Sequence, residues 1–253
     1  MQTEHEHLGA GSQGGQGQPV AGAWPFAGKD WMKAVSARSA IVFDFDGTLV
    51  DSSAIKKSSF MCALGAGERS DRAECERAYA THGTINRIKL LALSFTDIYS
   101  RLPSDTEHKA LVDAYISYFR SHMDDVTLFP GLPEFHAQFG GSFQLMISSN
   151  APQPEIVKQC EKLHIGSYFT RIYGHPVGKS DALRHVLADL NPVQSDVLYV
   201  GDRVEDGMAA ESAGVRFFRL DPGFHSTSSN EGILRSLADL AGVLAECGLA
   251  KEP

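Results

Sequence analysis

Two carboxylates, Asp44 and Asp46, stand two positions apart in a stretch that could carry chemistry. They follow the apolar run 41–43, which predicts a short buried strand, and Gly47 then turns the chain away. Open α/β sheets bind ligands at the carboxyl ends of their parallel strands, so both side chains could face one pocket. An acidic turn at the surface is the alternative interpretation of this stretch alone.

Polar residues also border two further predicted elements. Ser148 and Ser149 come directly after the apolar run 143–147, and Lys179 precedes the helical run 181–190. Two serines after a strand often only open a turn or cap a helix, and one lysine in a loop is not specific. Taken separately, each of these signals is weak.

The run 197–200 is another apolar strand pattern, and Asp202 follows it after one glycine. Asp206 stands four residues later, and the small pair 209–210 and Gly214 come after it. Small residues let a helix lie close to a sheet, and Gly214 permits a turn back into the sheet. The spacing predicts a strand, an acidic loop, a closely packed helix and another strand.

These stretches, in this order over residues 40–222, resemble the four motifs of the haloacid dehalogenase superfamily. The resemblance implies that Asp44 attacks phosphorus to form an aspartyl-phosphate. Asp46 would protonate the leaving oxygen and later activate water. The Ser148 hydroxyl, with Ser149 beside it, would hold the phosphoryl oxygens, although a shift by one residue between the two serines stays open.

The same resemblance implies a basic residue beside the nucleophile. Lys179 would bridge the nucleophilic carboxylate and the phosphoryl group, and its charge would offset theirs. This stretch departs from the commonest family pattern because no Pro follows Lys179. Lys158 and Lys162 are therefore kept as alternatives for this role.

The metal ion that the resemblance implies is Mg²⁺, which prefers oxygen ligands in octahedral geometry. Asp202 would ligate it directly, together with Asp44 and the backbone carbonyl of Asp46. Asp206 would hold a coordinating water or orient the basic residue. Arg203 stands where the family more often has Ser or Thr, and the sequence leaves open whether it touches the metal.

The predicted fold class is α/β, a Rossmann-like parallel sheet core with an inserted helical cap. Strand patterns alternate with helical ones after residue 130, whereas residues 53–125 carry apolar side chains at helical spacing. An insert at this point resembles the type-1 cap of the superfamily, which closes over the reacting group. The predicted domains are a disordered Gly/Gln-rich tail at 1–22, a core at 23–52 and 126–253, and a cap at 53–125.

One stretch of the predicted cap could determine substrate specificity. Thr84 could cap a helix in which Ile85 and Ile88 face inward. Arg87 or Lys89 could then bind a remote carboxylate or a second phosphate of the substrate. The alternative is a first helical turn with ordinary surface charges.

The charge and composition of the chain limit which kinds of partner it could bind. Its net charge of −8 provides no basic field for nucleic acid, so an anionic substrate must meet a metal ion or a few local cations. No apolar run reaches the roughly 20 residues of a membrane span, and the N-terminus lacks the layout of a signal peptide. We therefore expect a cytoplasmic monomer or homodimer without a membrane or nucleic-acid partner.

The function that the resemblance implies for these residues is that of a Mg²⁺-dependent phosphatase. Its substrate would be a small phosphomonoester, such as phosphoglycolate or a sugar phosphate, hydrolysed through an aspartyl-phosphate. A phosphomutase of the β-phosphoglucomutase kind is the alternative enzyme, because the same four motifs serve both reactions. A binding protein on an inactive scaffold is a third hypothesis, which the complete set of acids and Lys179 disfavours.

Overall fold

The computed structural model describes residues 39–65, 71–83, 87–190, 197–222 and 233–246. The predicted tail at 1–22, the start of the predicted core at 23–38, Thr84 and Ile85 lie outside the described residues. Within the described ranges, four helices follow one another between residues 53 and 121, and strands alternate with helices from residue 127 to residue 220.

Six parallel strands form the central sheet, and a separate antiparallel pair lies outside it. In chain order the described strands are β1 (Ala40–Phe43), β2 (Val50–Asp51), β3 (Thr127–Leu128), β4 (Gln144–Pro152), β5 (Arg171–His175), β6 (Val197–Gly201), β7 (Arg216–Leu220) and β8 (Ile233–Leu234). The order across the central sheet is β5, β4, β1, β6, β7, β8. Because β1 pairs in parallel with both β4 and β6, the residues that follow these three strands leave the sheet at the same edge.

Helices cover both faces of the sheet. The described helices are α1 (Ser53–Ala63), α2 (Arg72–His82), α3 (Arg87–Tyr99), α4 (Asp105–Ser121), α5 (Leu132–Phe139), α6 (Gln153–Lys162), α7 (Lys179–Leu190), α8 (Val204–Ala213) and α9 (Leu237–Glu246). Alternate residues of β1 enter two apolar layers. Phe43 packs edge-on against Phe135 of α5 with ring centroids 5.7 Å apart, whereas Val42 joins Leu183 and Val186 of α7.

The helices α1 to α4 form an insert that leaves the core after β2 and returns to it at β3. Val50 pairs with Leu128 in this antiparallel ribbon, so the two chain crossings lie side by side. Buried residues of the insert, including Phe60 and Leu91, belong to the same apolar cluster as Phe43 of the core. The insert therefore packs onto the core through a continuous apolar contact.

The structure confirms the predicted α/β class, a parallel sheet with an inserted set of helices. Two local predictions were wrong. Ile88 was expected to face inward but is 51% exposed, because burial along α3 begins only at Leu90. The spacing of Leu234, Leu237 and Leu240 predicts one apolar face of a last helix, but Leu234 extends β8 beside Leu220, and the helix begins after Ser236. None of the described helices combines the length and apolar character needed to cross a membrane.

Candidate active site

The carboxyl ends of β1 and β6 bring two of the predicted acids together. The backbone N–H of Asp44 donates to the carbonyl of Val200 at 2.7 Å, which continues the pairing of the two strands past their last paired residues. Asp202 follows β6 directly. Asp44 is buried, and burial together with the charge of Asp206 raises the pKa of its carboxyl, although Lys179 opposes this shift.

Lys179 joins two buried carboxylates. Its Nζ lies 2.8 Å from Asp44 Oδ1 and 2.5 Å from Asp206 Oδ1, and only 10% of the side chain is exposed. Burial acts to lower the pKa of Lys179. The charges of Asp44 and Asp206 raise this pKa by a larger amount, so the net shift is upward. The lysine is therefore charged and held in one position. The two alternative lysines lie elsewhere: Lys158 lines a separate groove, and Lys162 forms an ion pair with Asp124.

Asp206 is fully buried and its two oxygens are both engaged. Oδ1 accepts from the Tyr199 hydroxyl at 3.0 Å as well as from Lys179, and Oδ2 accepts from the backbone N–H of Arg203 at 3.1 Å. A Cβ at Gly201 would lie 2.5 Å from Oδ2, so glycine lets the strand pass this carboxylate closely. This bonding suits the predicted role of orienting Lys179.

Three carboxylates could hold a metal ion. Asp44, Asp202 and Asp206 each offer an oxygen atom, and these atoms lie within 4.8 Å of one another. Asp202 Oδ1 is buried without a hydrogen-bond partner among the described residues, which is costly unless a cation meets it. Burial, followed by the charge of Asp44, raises the pKa of Asp202 to about 7. An all-oxygen donor set of this kind fits Mg²⁺.

Gly47 makes room for Asp202 in this cluster. Its φ is +92°, and a Cβ added to it would lie 2.5 Å from Asp202 Oδ2. We expect Gly47→Ala to displace the Asp202 carboxylate and weaken Mg²⁺ binding by about 10-fold or more, measured by isothermal titration calorimetry. Gly166→Ala is the control, because no atom of the described residues lies within 4 Å of its added Cβ. Equal Mg²⁺ affinity in both variants would contradict the expectation.

Asp46 lies beside the cluster and has its own cation. Its Oδ1 accepts from the Ser52 hydroxyl at 2.6 Å and lies 3.2 Å from Lys56 Nζ. Burial alone would raise the pKa of Asp46, but the charge of Lys56 and the hydrogen bonds from Ser52 and Lys56 lower it overall. Asp46 is therefore ionised in this arrangement, which is the form that a general base needs.

The two serines after the apolar run of β4 have different surroundings. Both are buried, but Ser149 lines the cavity above Asp44 and Ser148 does not. The Ser149 Oγ accepts from the backbone N–H of Ala151 at 3.2 Å, which leaves its own proton to donate. The geometry favours Ser149 over Ser148 as the hydroxyl that faces a ligand.

A cavity of about 380 Å³ separates this centre from the insert. Five basic residues line it, as many as the acidic residues that line it, in a chain whose net charge is −8. These basic residues are Lys56, Arg87, Lys89, Lys179 and Arg203. The Arg87 guanidinium carbon lies 5.8 Å from the centroid of the Tyr115 ring, and Arg203 Nε lies 3.7 Å from Asp202 Oδ2. An anionic ligand would therefore meet cations on the insert as well as on the core.

Sequence reasoning missed several residues of this site. Lys56 and Tyr199 contact predicted acids, and Glu155 and Gln159 line the cavity from α6. Lys56 lies one helical turn after Ser52, a spacing that could have placed it near the acidic loop. Tyr199 gave no signal, because it is one member of an apolar strand run.

Fold and site together define a capped α/β enzyme with an acidic, lysine-bridged centre at the carboxyl edge of its sheet. The family model of the haloacid dehalogenase-like hydrolases matches residues 41–220. The chain belongs to this family, which confirms the predicted membership and the prediction of a hydrolase.

Curated relatives of this chain carry the name phosphoglycolate phosphatase. One from Vibrio parahaemolyticus is 29% identical over 223 residues, covering 81% of this chain and 95% of the relative. Another from Pseudomonas fluorescens is 25% identical over 195 residues, covering 73% and 70% respectively.

Solved structures support the fold alone. A haloacid dehalogenase-like hydrolase from Streptococcus pneumoniae has a TM-score of 0.64 at 21% identity, covering 82% of this chain and 99% of that one. A protein from Haemophilus somnus, described as a predicted phosphoglycolate phosphatase, has a TM-score of 0.63 at 21% identity, covering 82% and 98%.

Proposed function

We propose that this protein is a Mg²⁺-dependent phosphatase that hydrolyses a small phosphomonoester through an aspartyl-phosphate on Asp44. The observation that carries the proposal is the position of this carboxylate. It is buried at the floor of a cavity and held 2.8 Å from a charged lysine. A carboxylate fixed in this way is poised to attack phosphorus without first reorganising.

The neighbouring residues would divide the remaining work. Lys179 and the Ser149 hydroxyl would stabilise the negative charge on the phosphoryl oxygens as the Asp44 oxygen bonds to phosphorus. Asp46, ionised beside Lys56, would take the proton of the water that hydrolyses the intermediate. To protonate the leaving oxygen in the first half-reaction, Asp46 would have to gain a proton and loosen its contact with Lys56.

Mg²⁺ is proposed from the donor set around Asp202. The ion would supply charge neutralisation for the phosphoryl oxygens and the nucleophile. Asp202 would hold it through the otherwise unpartnered Oδ1, and Asp44 would contribute a second oxygen. Asp206 would act mainly on Lys179, since both of its oxygens already accept hydrogen bonds.

The substrate class follows from the size and charge of the cavity. About 380 Å³ suits a small metabolite, and Arg87 and Lys89 offer cations on the insert. A leaving group with its own negative charge would therefore bind well. The relatives named phosphoglycolate phosphatase agree with hydrolysis of such an ester, and they do not favour the alternative phosphomutase.

A panel of phosphate esters tests the proposed function. The purified protein with Mg²⁺ should release inorganic phosphate from small esters, including p-nitrophenyl phosphate, and removal of the ion with EDTA should abolish the activity reversibly. Phosphate release that persists unchanged after EDTA treatment would contradict the metal dependence. Conversion of glucose 1-phosphate to glucose 6-phosphate without free phosphate would favour the mutase.

Arg87 gives a specific prediction about the leaving group. We expect Arg87→Ala to raise KM for phosphoglycolate by about 10-fold to 100-fold, because a hydrogen bond between two charged groups is lost. Turnover of p-nitrophenyl phosphate, whose leaving group carries no carboxylate, should change little. Arg72→Ala is the matched control, since Arg72 lies on the exposed face of α2 beside Glu76. Equal KM values for phosphoglycolate in both variants would refute the assignment.

A further inference from the structure

The helix α6 contributes a wall to the cavity that the proposed reaction does not use. Glu155, Ile156 and Gln159 all line the cavity, and their spacing places them on one face of the helix. Phe119 of the insert lines the cavity as well. The wall therefore offers apolar contact from Ile156 and Phe119 and polar atoms from the other two residues.

Gln159 carries a buried acceptor that has no donor. The residue is 6% exposed, and its Oε1 has no hydrogen-bond partner among the residues that the structure describes. An unpaired buried carbonyl oxygen costs free energy, so its presence on a residue of the cavity wall calls for an explanation. A ligand that brings a donor to this wall would supply the missing partner once the amide turns toward it.

Glu155 places a second acceptor one helical turn away. Both of its contacts with Arg120 of the insert, at 3.0 Å from Nε and 2.8 Å from Nη2, fall on the same oxygen, Oε1. The other oxygen, Oε2, has no hydrogen-bond partner among the described residues and is free to accept one. Because Arg120 already balances the charge of Glu155, a neutral hydrogen-bond donor fits this wall better than a cation does.

We infer that Glu155 and Gln159 bind a hydroxyl group of the leaving group. The preferred substrate would then be a hydroxylated phosphomonoester, such as a polyol phosphate, a sugar phosphate or a phosphorylated hydroxy acid. This inference rests on the proposed phosphatase activity. A cationic donor is disfavoured because Arg87 and Lys89 line the same cavity. The glycolate released from phosphoglycolate is a poor match, because its only other polar group is a carboxylate without a donor.

Two matched substrates test the inference on the full-length protein with Mg²⁺. Glycerol 1-phosphate and n-propyl phosphate have the same chain length and differ in their hydroxyl groups. We expect kcat/KM to be about 10-fold to 100-fold higher for glycerol 1-phosphate, since a site built to bind a hydroxyl rejects the analogue that lacks it. We likewise expect kcat/KM to be higher for 3-phosphoglycerate, which carries a free hydroxyl group, than for phosphoglycolate. Equal values within both pairs would overturn the inference.

The Gln159→Met variant distinguishes a loss of hydroxyl binding at this wall from general damage to the protein. The change keeps the length of the side chain and removes the unpaired acceptor, so the melting temperature should stay equal or rise. The preference for glycerol 1-phosphate should fall by about 10-fold, while hydrolysis of p-nitrophenyl phosphate stays within about 3-fold. Gln153→Met is the matched control, an exposed position on the same helix outside this cavity.

The outcomes distinguish the inference from the function on which it rests. A Gln159→Met protein that keeps the full preference, or that loses activity on all esters alike, would overturn the role of the wall. Failure of the unaltered protein to hydrolyse even p-nitrophenyl phosphate would instead remove the proposed phosphatase activity, and the inference with it.

Discussion

Asp44→Asn is expected to lower kcat by at least about 10⁴-fold on every phosphate ester, because the amide cannot form the covalent intermediate. The variant should nevertheless fold. Burial and the charge of Asp206 raise the pKa of Asp44, so its ionised form costs folding stability at neutral pH, above the usual pKa of an aspartate. A neutral side chain of the same shape removes that cost.

Steady-state kinetics with Mg²⁺ check the first part of this expectation, and thermal unfolding in metal-free buffer checks the second. The melting temperature of Asp44→Asn should be equal to or above that of the unaltered protein. Loss of activity together with a fall in melting temperature would indicate general damage. Activity within about 10-fold of the unaltered protein would exclude Asp44 as the nucleophile.

Lys179→Met is expected to damage both catalysis and folding. Removing the lysine leaves Asp44 and Asp206 buried without the cation that both now contact, and breaking a buried pair in this way costs about 3–5 kcal/mol. For a protein of this size the melting temperature should fall by roughly 6–20 °C. We expect kcat to fall by about 10²-fold to 10³-fold, because one donor to the phosphoryl oxygens is lost.

The alternatives considered for this role provide the controls. Lys158→Met and Lys162→Met remove the same charge from α6 at exposed positions away from Asp44. Both should retain kcat within about 3-fold, since the charges at those positions are solvated. A larger loss of kcat in either variant than in Lys179→Met would move the role to that lysine.

Much of the core could be predicted because its strands are short apolar runs that end in polar residues. Such runs indicate buried parallel strands, and their carboxyl ends must share one edge of the sheet. This reasoning placed Asp44 and Asp202 at one edge, whereas the resemblance to the haloacid dehalogenase superfamily implied that Lys179 and Asp206 join them. The structure brings the four side chains together. The catalytic and metal-binding roles of these residues remain predictions.

The choice between Ser148 and Ser149 needed coordinates. The cavity lies at the carboxyl end of β4, where the consecutive residues Ser149, Asn150 and Ala151 line it and Ser148 does not. An apolar run shows where a strand lies, but its ends are uncertain by a residue or two. The structure gives this position to Ser149, which lines the cavity.

Ile88 and Leu234 show a second limit of sequence reasoning. Periodicity gives the direction of a side chain around a helix axis, but not the point along the axis where a neighbouring helix begins to cover it. Leu234 fits a helical pattern, yet it pairs with Leu220 at the edge of the sheet. Ser236 then caps α9 by accepting from the backbone N–H of Asp239 at 3.1 Å.

Three of the residues that were missed share one property. Tyr199 lies within an apolar strand, and Glu155 and Gln159 lie on an amphipathic helix, so local pattern gives them no chemical role. Their importance arises from contacts across the fold: the Tyr199 hydroxyl with Asp206, and Gln159 with the cavity beneath the insert. Pairings of this kind depend on tertiary packing.

Chemical trapping of the intermediate tests the central claim most directly. Rapid acid quenching of the protein during turnover of p-nitrophenyl phosphate with Mg²⁺, followed by borohydride reduction, converts an aspartyl-phosphate to homoserine, which peptide mass spectrometry locates. The account predicts homoserine at position 44 and at no other aspartate. Conversion at Asp46 or Asp202, or hydrolysis at full rate with no converted aspartate, would contradict it.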